Sequence, residues 1–320
     1  MNVSSLIKST KAFEIFKNDK INGTLSHATL IVCDDSFMLE KYVKVFVKTL
    51  MCNSEDSCDN CRVCKLIDSK TYEDAKFYPT ENKIVTEDID DLIARSYLKP
   101  LESDKKVFVL LNAQEMNTQS QNKLLKTLEE PPKDTYIILG ATSVFTLLPT
   151  VISRVKKLQI NSFNDSCIIN FLKDEYKDEN QLKYAVKLAN GKIGEAINRY
   201  NLGEGKEIED LVFNVFINMK NSKDVCLYSS KINKENIKDV ISIFIRFIND
   251  VLRYNSGKEV TSFDVEKIKK ISQIYSSGAL LFALEEIKQL EKALYFNGNV
   301  QALSDNLLFG LLEGKHIWSK

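Results

Sequence analysis

A chain of 320 residues is long enough for two or three domains, each with a sizeable core. Its 44 basic and 44 acidic residues cancel to a formal net charge of zero. That balance excludes the basic profile of a dedicated nucleic-acid binder, but leaves room for nucleic-acid contact inside an assembly whose other members supply charge. No apolar run approaches the roughly 18 residues needed to cross a bilayer, and the first twenty residues mix charge with apolar side chains rather than forming a leader. A cytoplasmic protein with no membrane contact is expected.

In chain order, Ala28-Thr29-Leu30-Ile31-Val32 is a short β-rich run that gives way to Asp34-Asp35-Ser36. From Phe37 to Met51 the apolar spacing predicts a helix, with Leu39, Tyr42, Val43, Phe46, Val47 and Leu50 on one face. Thr86-Glu87-Asp88-Ile89 has the character of a capped helix start, with Pro100 beyond its end. Val107–Leu111 is a continuous apolar run of the kind that forms a buried strand of a parallel sheet. Leu124, Leu125 and Leu128 mark a helix that Pro131-Pro132 stops, and Tyr136–Leu139 is a further buried strand. Strand–helix–strand order with short connections predicts an α/β domain with a parallel sheet. Beyond residue 161 helical periodicity dominates, through Ile168–Leu172, Leu182–Leu188, Val212–Met219 and Ile237–Leu252. Asn201–Gly205 is the polar stretch at which a small helical domain is expected to end and a larger one to begin.

Four of the seven cysteines, Cys52, Cys58, Cys61 and Cys64, fall within thirteen positions. In a reducing compartment such clustering points to a metal site rather than disulfides. Two CxxC steps share Cys61, and tight turns of that length let successive sulfurs reach one zinc ion tetrahedrally. Four thiolates leave no open position, so the zinc expected here is structural. Arg62 and Lys65 are candidates to offset its negative charge. Four unrelated thiols, a redox pair or an iron–sulfur cluster are the alternatives. Cys33, Cys167 and Cys226 are expected to be buried small hydrophobes, and His27 and His316 to be structural or exposed.

Asn112-Ala-Gln-Glu-Met-Asn117, then Asn122-Lys-Leu-Leu-Lys-Thr-Leu-Glu-Glu-Pro-Pro132 and Leu148-Pro-Thr-Val-Ile-Ser-Arg154, resemble the Walker B region, the following helix and the SRC motif of the AAA+ subunits of bacterial DNA polymerase III clamp loaders. Leu25-Ser-His-Ala28 is similar to the entry into the family's P-loop strand, and Asn299–Leu308 to its last collar helix. The resemblance is strong over 105–155 and weak after residue 200. It implies an α/β RecA-like (AAA+) domain over 1–160 with its zinc insertion at 52–64, an all-α lid over 161–205, and an all-α C-terminal collar domain over 206–320.

The chain departs from the family where nucleotide binds. A P-loop needs GxxxxGK[ST], whose amides and lysine hold phosphate and whose hydroxyl meets magnesium. Here Cys33-Asp-Asp-Ser-Phe-Met-Leu-Glu-Lys41 has no glycine and sets two carboxylates there. Asn112 stands for the metal-binding aspartate and Ala113 for the catalytic glutamate, with Glu115 out of register. Thr142 and Ser143 follow the strand where the family has its sensor-1 residue, and the arginine of sensor 2 is absent from the start of the Ala189–Ala196 segment, where Glu195 stands. No bound ATP and no activity of the chain alone are expected, within an assembly counted with the DNA polymerase III holoenzyme.

Ser153-Arg154 survives, with Val155 in place of the usual cysteine. In the family that arginine reaches the ATP site of a neighbouring subunit and stabilises charge on the γ-phosphate; the alternative is a surface arginine paired with a local carboxylate. The resemblance therefore implies a non-catalytic member of the delta-prime type, in a hetero-oligomer with tau/gamma ATPase subunits, the delta subunit, the sliding clamp indirectly, and primer–template DNA. Two other readings are an AAA+ ATPase with an aberrant site, and a zinc-dependent nucleic-acid-binding protein.

Overall fold

The computed structural model describes residues 2–80, 83–202, 206–260, 264–295 and 299–318. Two compact units form. One holds the chain up to Glu175 together with Gly191–Glu195; the other holds Tyr176–Asn190 and the chain from Ala196 on. Of the boundary expected at Asn201–Gly205, residues 203–205 lie outside the described residues.

In the first unit α1 (Val3–Lys8) and α2 (Lys11–Ile21) precede β1 (Ala28–Cys33), α3 (Leu39–Met51), α4 (Arg62–Asp68), β2 (Ala75–Tyr78), α5 (Thr86–Ser96), β3 (Lys106–Leu110), α6 (Thr118–Glu129), β4 (Thr135–Ala141), α7 (Pro149–Ile152), β5 (Lys156–Ile160) and α8 (Asp165–Leu172). The five strands make one sheet in the order β2-β3-β4-β1-β5, and every pairing is parallel. This is the α/β RecA-like architecture that the resemblance implied.

The register explains the strand sequences. Leu30, Val32, Phe108, Leu110, Ile137 and Leu139 face one core with Ile89 and Leu92 of α5 and Leu124 and Leu128 of α6. Helices cover both faces of the sheet, so its inner strands are apolar in continuous runs rather than alternating. On β1 and β3 every residue is buried. Opposite Ile31, Gly140 lets α3 approach: a Cβ there would stand 2.9 Å from Cγ2 of Val43. The buried face of α3 contains all six apolar residues named from its periodicity. The helix begins at Leu39, however, and Phe37 before it is exposed.

Helix α5 starts at Thr86 because Asp88 reaches back, its Oδ2 accepting from the Val85 N–H at 3.1 Å and its Oδ1 from the Thr80 hydroxyl at 3.0 Å. Asn117 caps α6 by accepting from the Ser120 N–H at 2.8 Å, and α6 ends before Pro131-Pro132.

Every regular element among the described residues of the second unit is a helix: α9 (Glu179–Leu188), most of α10 (Ile193–Leu202), α11 (Lys206–Asn218), α12 (Ser222–Ser229), α13 (Ile237–Asn255), α14 (Val265–Ile274), α15 (Ser277–Tyr295) and α16 (Val300–Ile317). Phe216 of α11 is its aromatic centre, in edge contact with Phe244 and Phe247 of α13 and with Tyr275. Arg199 meets Asp239 through two charge-assisted hydrogen bonds of 2.5 and 2.6 Å, with both side chains largely withdrawn from solvent. No helix of the described residues is long and apolar enough to cross a membrane.

Two of the isolated cysteines depart from expectation. Cys33 is buried on β1, but Cys167 is half-buried and Cys226 exposed. Each sits on a short helix, off its buried stripe: α8 buries Ile168 and Leu172, and α12 buries Val225 and Ser229. His27 is structural, its Nε2 2.7 Å from the Leu128 carbonyl, and His316 is exposed.

Candidate functional site

The chain folds its four clustered cysteines onto one point. Their sulfurs all lie within 4.8 Å of one another; Cys52 is 3.6 Å from Cys58 and 3.9 Å from Cys61, and Cys58 is 3.9 Å from Cys64. Four sulfurs about 2.3 Å from a tetrahedral zinc stand about 3.8 Å apart, so the separations fit a single ion. Cys52 leaves the C-terminus of α3, while Cys61 caps α4 and Cys64 lies in its first turn. The Cys61 and Cys64 N–H groups each donate at 3.4 Å to the sulfur three residues earlier. These bonds favour thiolate over thiol. Burial pushes the Cys52 thiol up, but backbone N–H groups at Ser54 and Cys58 outweigh it and bring the value down to about 6. The Cys64 thiol is pushed up, first by burial; a bound cation would reverse that preference. The cluster is close enough to hold a metal ion. Arg62 is not its counter-charge: its guanidinium is committed to Glu102 at 2.5 Å. Four lysines, Lys8, Lys17, Lys20 and Lys48, reach this loop instead.

The loop between β1 and α3 is closed. Asp35 is 5% exposed; its Oδ2 accepts from the Gly194 N–H at 2.8 Å and its Oδ1 from the Met38 N–H at 3.3 Å. Lys192 pairs with neighbouring Asp34 at 2.9 Å. A Cβ on Gly194 would fall 2.3 Å from Cβ of Phe37 and 2.6 Å from Oδ1 of Asp35. The cavity remaining among Cys33, Asp34, Asp35, Tyr42, Gly191 and Lys192 is about 10 Å³, which is scarcely one water. Burial pushes the Asp35 carboxyl up, against the pull of the Gly194 and Met38 N–H groups.

The segment after β3 is built around two glutamines. Asn112, in left-handed backbone conformation, opens a short 3-10 turn over Ala113–Glu115. Gln114 accepts from the Thr142 N–H at 3.1 Å, and its carbonyl accepts from the Thr146 hydroxyl at 2.6 Å. Gln121, 2% exposed, donates to the Met116 and Thr146 carbonyls, both at 3.0 Å, and accepts from the Leu148 N–H at 2.7 Å. The stretch from Thr142 to α7 is thereby fastened to α6. Ser143 caps only its own turn, accepting from the Phe145 N–H at 3.2 Å.

Arg154 follows α7 at the surface, with 34% of its side chain accessible, and its Nη2 lies 2.5 Å from Oε1 of Glu129 at the end of α6. Nη1 donates to the Thr150 carbonyl at 2.8 Å and to Oγ of Ser153 at 3.3 Å. The guanidinium is thus held in one orientation by groups of its own unit. The pairing with a local carboxylate, one of the two sequence-level alternatives, is present in the chain on its own.

The closure by Asp35 has no sequence signal, since Gly194 lies 159 residues away. Gln121 adjoins the string Asn122–Pro132 that carries the resemblance, but nothing in its local sequence signals these bonds.

The family described as "DNA polymerase III, delta subunit" matches residues 8–164. The chain is similar to DNA polymerase III subunit delta' of Bacillus subtilis (strain 168), 23% identical over 311 residues that span 94% of this chain and 90% of the relative. It is similar to the same extent to DNA polymerase III subunit gamma of Buchnera aphidicola subsp. Schizaphis graminum, 24% identical over 87% of this chain and 86% of that one. Subunit delta' of Haemophilus influenzae is 28% identical over half of each chain. Delta' and gamma relatives match at the same level.

Proposed function

Because the chain belongs to the DNA polymerase III clamp-loader subunit family, we propose that it is a delta-prime-type member: a subunit that hydrolyses nothing itself, completes the loader ring, and lends Arg154 to the ATP site of a neighbouring gamma/tau subunit. The observation that carries this reading is the cavity of about 10 Å³ at the β1 loop. A triphosphate needs far more room, and the Gly194 and Met38 amides that could meet a phosphate already serve Asp35. With Asn112 and Ala113 in place of the Walker B acids, the two requirements of phosphoryl transfer in cis, a phosphate cradle and a magnesium carboxylate, are both missing.

Arg154 keeps what trans action requires. Its partners are backbone and side-chain oxygens at the surface, and the contact with Glu129 is half-exposed. Ion pairs of that kind contribute little, so a polyanionic γ-phosphate from a neighbour can take Glu129's place and be bound bidentately. The Thr150 carbonyl and Ser153 hydroxyl then hold the guanidinium in orientation while charge builds on the phosphate.

Cys52, Cys58, Cys61 and Cys64 hold a structural zinc in this reading, with no part in phosphate chemistry. The lid over 161–205 and collar over 206–320 serve ring assembly with gamma/tau and delta subunits. The clamp and primer–template DNA are met within that complex, in the cytoplasm. The test is DNA-stimulated ATP hydrolysis by a reconstituted loader carrying wild-type chain or Arg154→Ala. A large loss with assembly intact supports the reading, whereas unchanged hydrolysis removes Arg154 from it.

The level match to gamma relatives favours a second reading, an ATPase with an aberrant site. Saturable binding of ATP by the isolated chain would establish it in place of the first.

A further inference from the structure

Four lysines from α1, α2 and α3 reach the loop that bears the cysteines, among them Lys17 of α2, which lies 3.5 Å from Glu55 and 3.8 Å from Asp56. Lys8 of α1 donates to the Ser57 carbonyl at 2.5 Å and lies 3.5 Å from Asp56. Lys48 of α3 pairs with Asp59 at 2.5 Å and Asp68 at 3.2 Å. Lys20, in the last turn of α2, behaves differently: its hydrogen bonds all go to main-chain carbonyls, those of Thr49 at 2.7 Å, Cys52 at 3.3 Å, Ser54 at 2.7 Å and Glu55 at 3.4 Å.

That position has a physical logic. The Thr49 carbonyl is among the last four of α3, which have no partner within the helix, and a cation is favoured at a helix C-terminus. At Cys52 the chain turns from helix to extended conformation, and no regular element intervenes before α4 begins at Arg62. Cys58, Cys61 and Cys64 are grouped by CxxC spacing and by α4, but Cys52 lies on the far side of this loop. The ammonium gathers four carbonyls on either side of that sulfur's own residue. A zinc ion with four thiolates would also carry two net negative charges, and Lys20 spends its charge on no carboxylate contact.

We propose that Lys20 is a positioning residue of the metal centre: seated on the Thr49, Cys52, Ser54 and Glu55 carbonyls, it fastens the Cys52 segment so that the fourth thiolate meets the other three. This rests on the metal reading of the cluster. Without the ammonium, the carbonyls turn toward water, the segment loosens, and the site falls back toward the three cysteines that α4 and the CxxC turns still hold.

The test uses the full chain, stripped of metal and loaded anaerobically with cobalt(II), whose ligand-field spectrum reports the number of thiolates; zinc affinity is measured in parallel by chelator competition. Lys20→Met is expected to weaken zinc binding about tenfold or more, as loss of an outer partner does, and to move the cobalt spectrum toward that of Cys52→Ser. Lys20→Arg should restore part of both. Lys8→Met, which removes a bond to Ser57 and none to the Cys52 residue, should keep the wild-type spectrum. If Lys20→Met does not fold, Lys20→Gln removes the charge with less change of shape. Wild-type protein that takes up no cobalt overturns the metal reading and this proposal with it. Wild-type uptake beside a charge-removed variant of unchanged spectrum and affinity overturns the proposal alone.

Discussion

Arg154 and Glu129 meet at 2.5 Å across the junction of α6 and α7. The carboxylate ends the very helix whose Gln121 fastens the segment leading to the arginine, so one helix both positions the guanidinium and occupies it. Because the pair is half-exposed, Arg154→Ala should change the stability of the isolated chain by no more than about 1 kcal/mol in a urea melt. In a reconstituted loader the same change should cost about 10³-fold or more in DNA-stimulated hydrolysis at the neighbouring site. Glu129→Gln, by releasing the guanidinium, should leave that hydrolysis at least as fast as wild type; a large drop would show that Glu129 itself serves the partner.

Asp35 offers a pH test. Burial lifts its carboxyl above the ordinary 3.8, so the native chain holds this proton more tightly than the unfolded chain does. Its contribution to stability is therefore full below 3.8 and fades as the pH rises through the lifted native value. Comparing wild type with the non-titrating Asp35→Asn in urea melts, the difference should move in favour of wild type as the pH falls from neutral into that window. Asp35→Ala leaves the Gly194 N–H without its carboxylate in a closed site, while the Met38 N–H keeps the Asp35 carbonyl at 3.2 Å; the expected cost is about 1–3 kcal/mol.

Metal content provides a third test. Purified chain should carry one zinc, measured by elemental analysis, and Cys61→Ser, which removes the shared member of both CxxC steps, should lose it. Cys226→Ser, at an exposed position remote in sequence from the cluster, should not. Adding a strong chelator should lower the melting temperature of wild type but not of Cys61→Ser.

In the helical unit, Arg199 and Asp239 form a buried pair with two short hydrogen bonds. Replacing Asp239 by Ala removes both charge-assisted bonds from a largely buried guanidinium and is expected to destabilise that unit by about 3–5 kcal/mol. Glu179→Ala, which removes an exposed i,i+4 partner of Lys183, should be within measurement error. Differential scanning calorimetry distinguishes the two.

The parallel sheet was legible because its inner strands are covered on both faces and read as β-rich, mainly apolar runs at 28–32, 107–111 and 136–139. The cysteine site was legible through spacing alone, since each ligand lies within a few turns of the next. Edge strands β2 and β5 are hidden in the sequence, because Lys76, Lys156 and Lys157 interrupt their apolar pattern. What the sequence hides most completely is long-range: Asp35 with Gly194 and Lys20 with the Cys52 segment are pairings of residues whose local sequence states nothing about a partner. The reading of Cys167 and Cys226 as buried erred by treating residue type as burial, when helix face decided it.

The carboxylate of Asp35 differs from a nucleotide phosphate in one respect that geometry alone does not convey: it is tethered. A bound phosphate leaves at some rate, is diluted when the pool falls, and changes form on hydrolysis. The anion that Asp35 presents to the Gly194 and Met38 amides has no dissociation constant, because its local concentration is set by the chain itself. In the proposed delta-prime reading, the conformation of the β1 loop is thereby uncoupled from the energy charge of the cell.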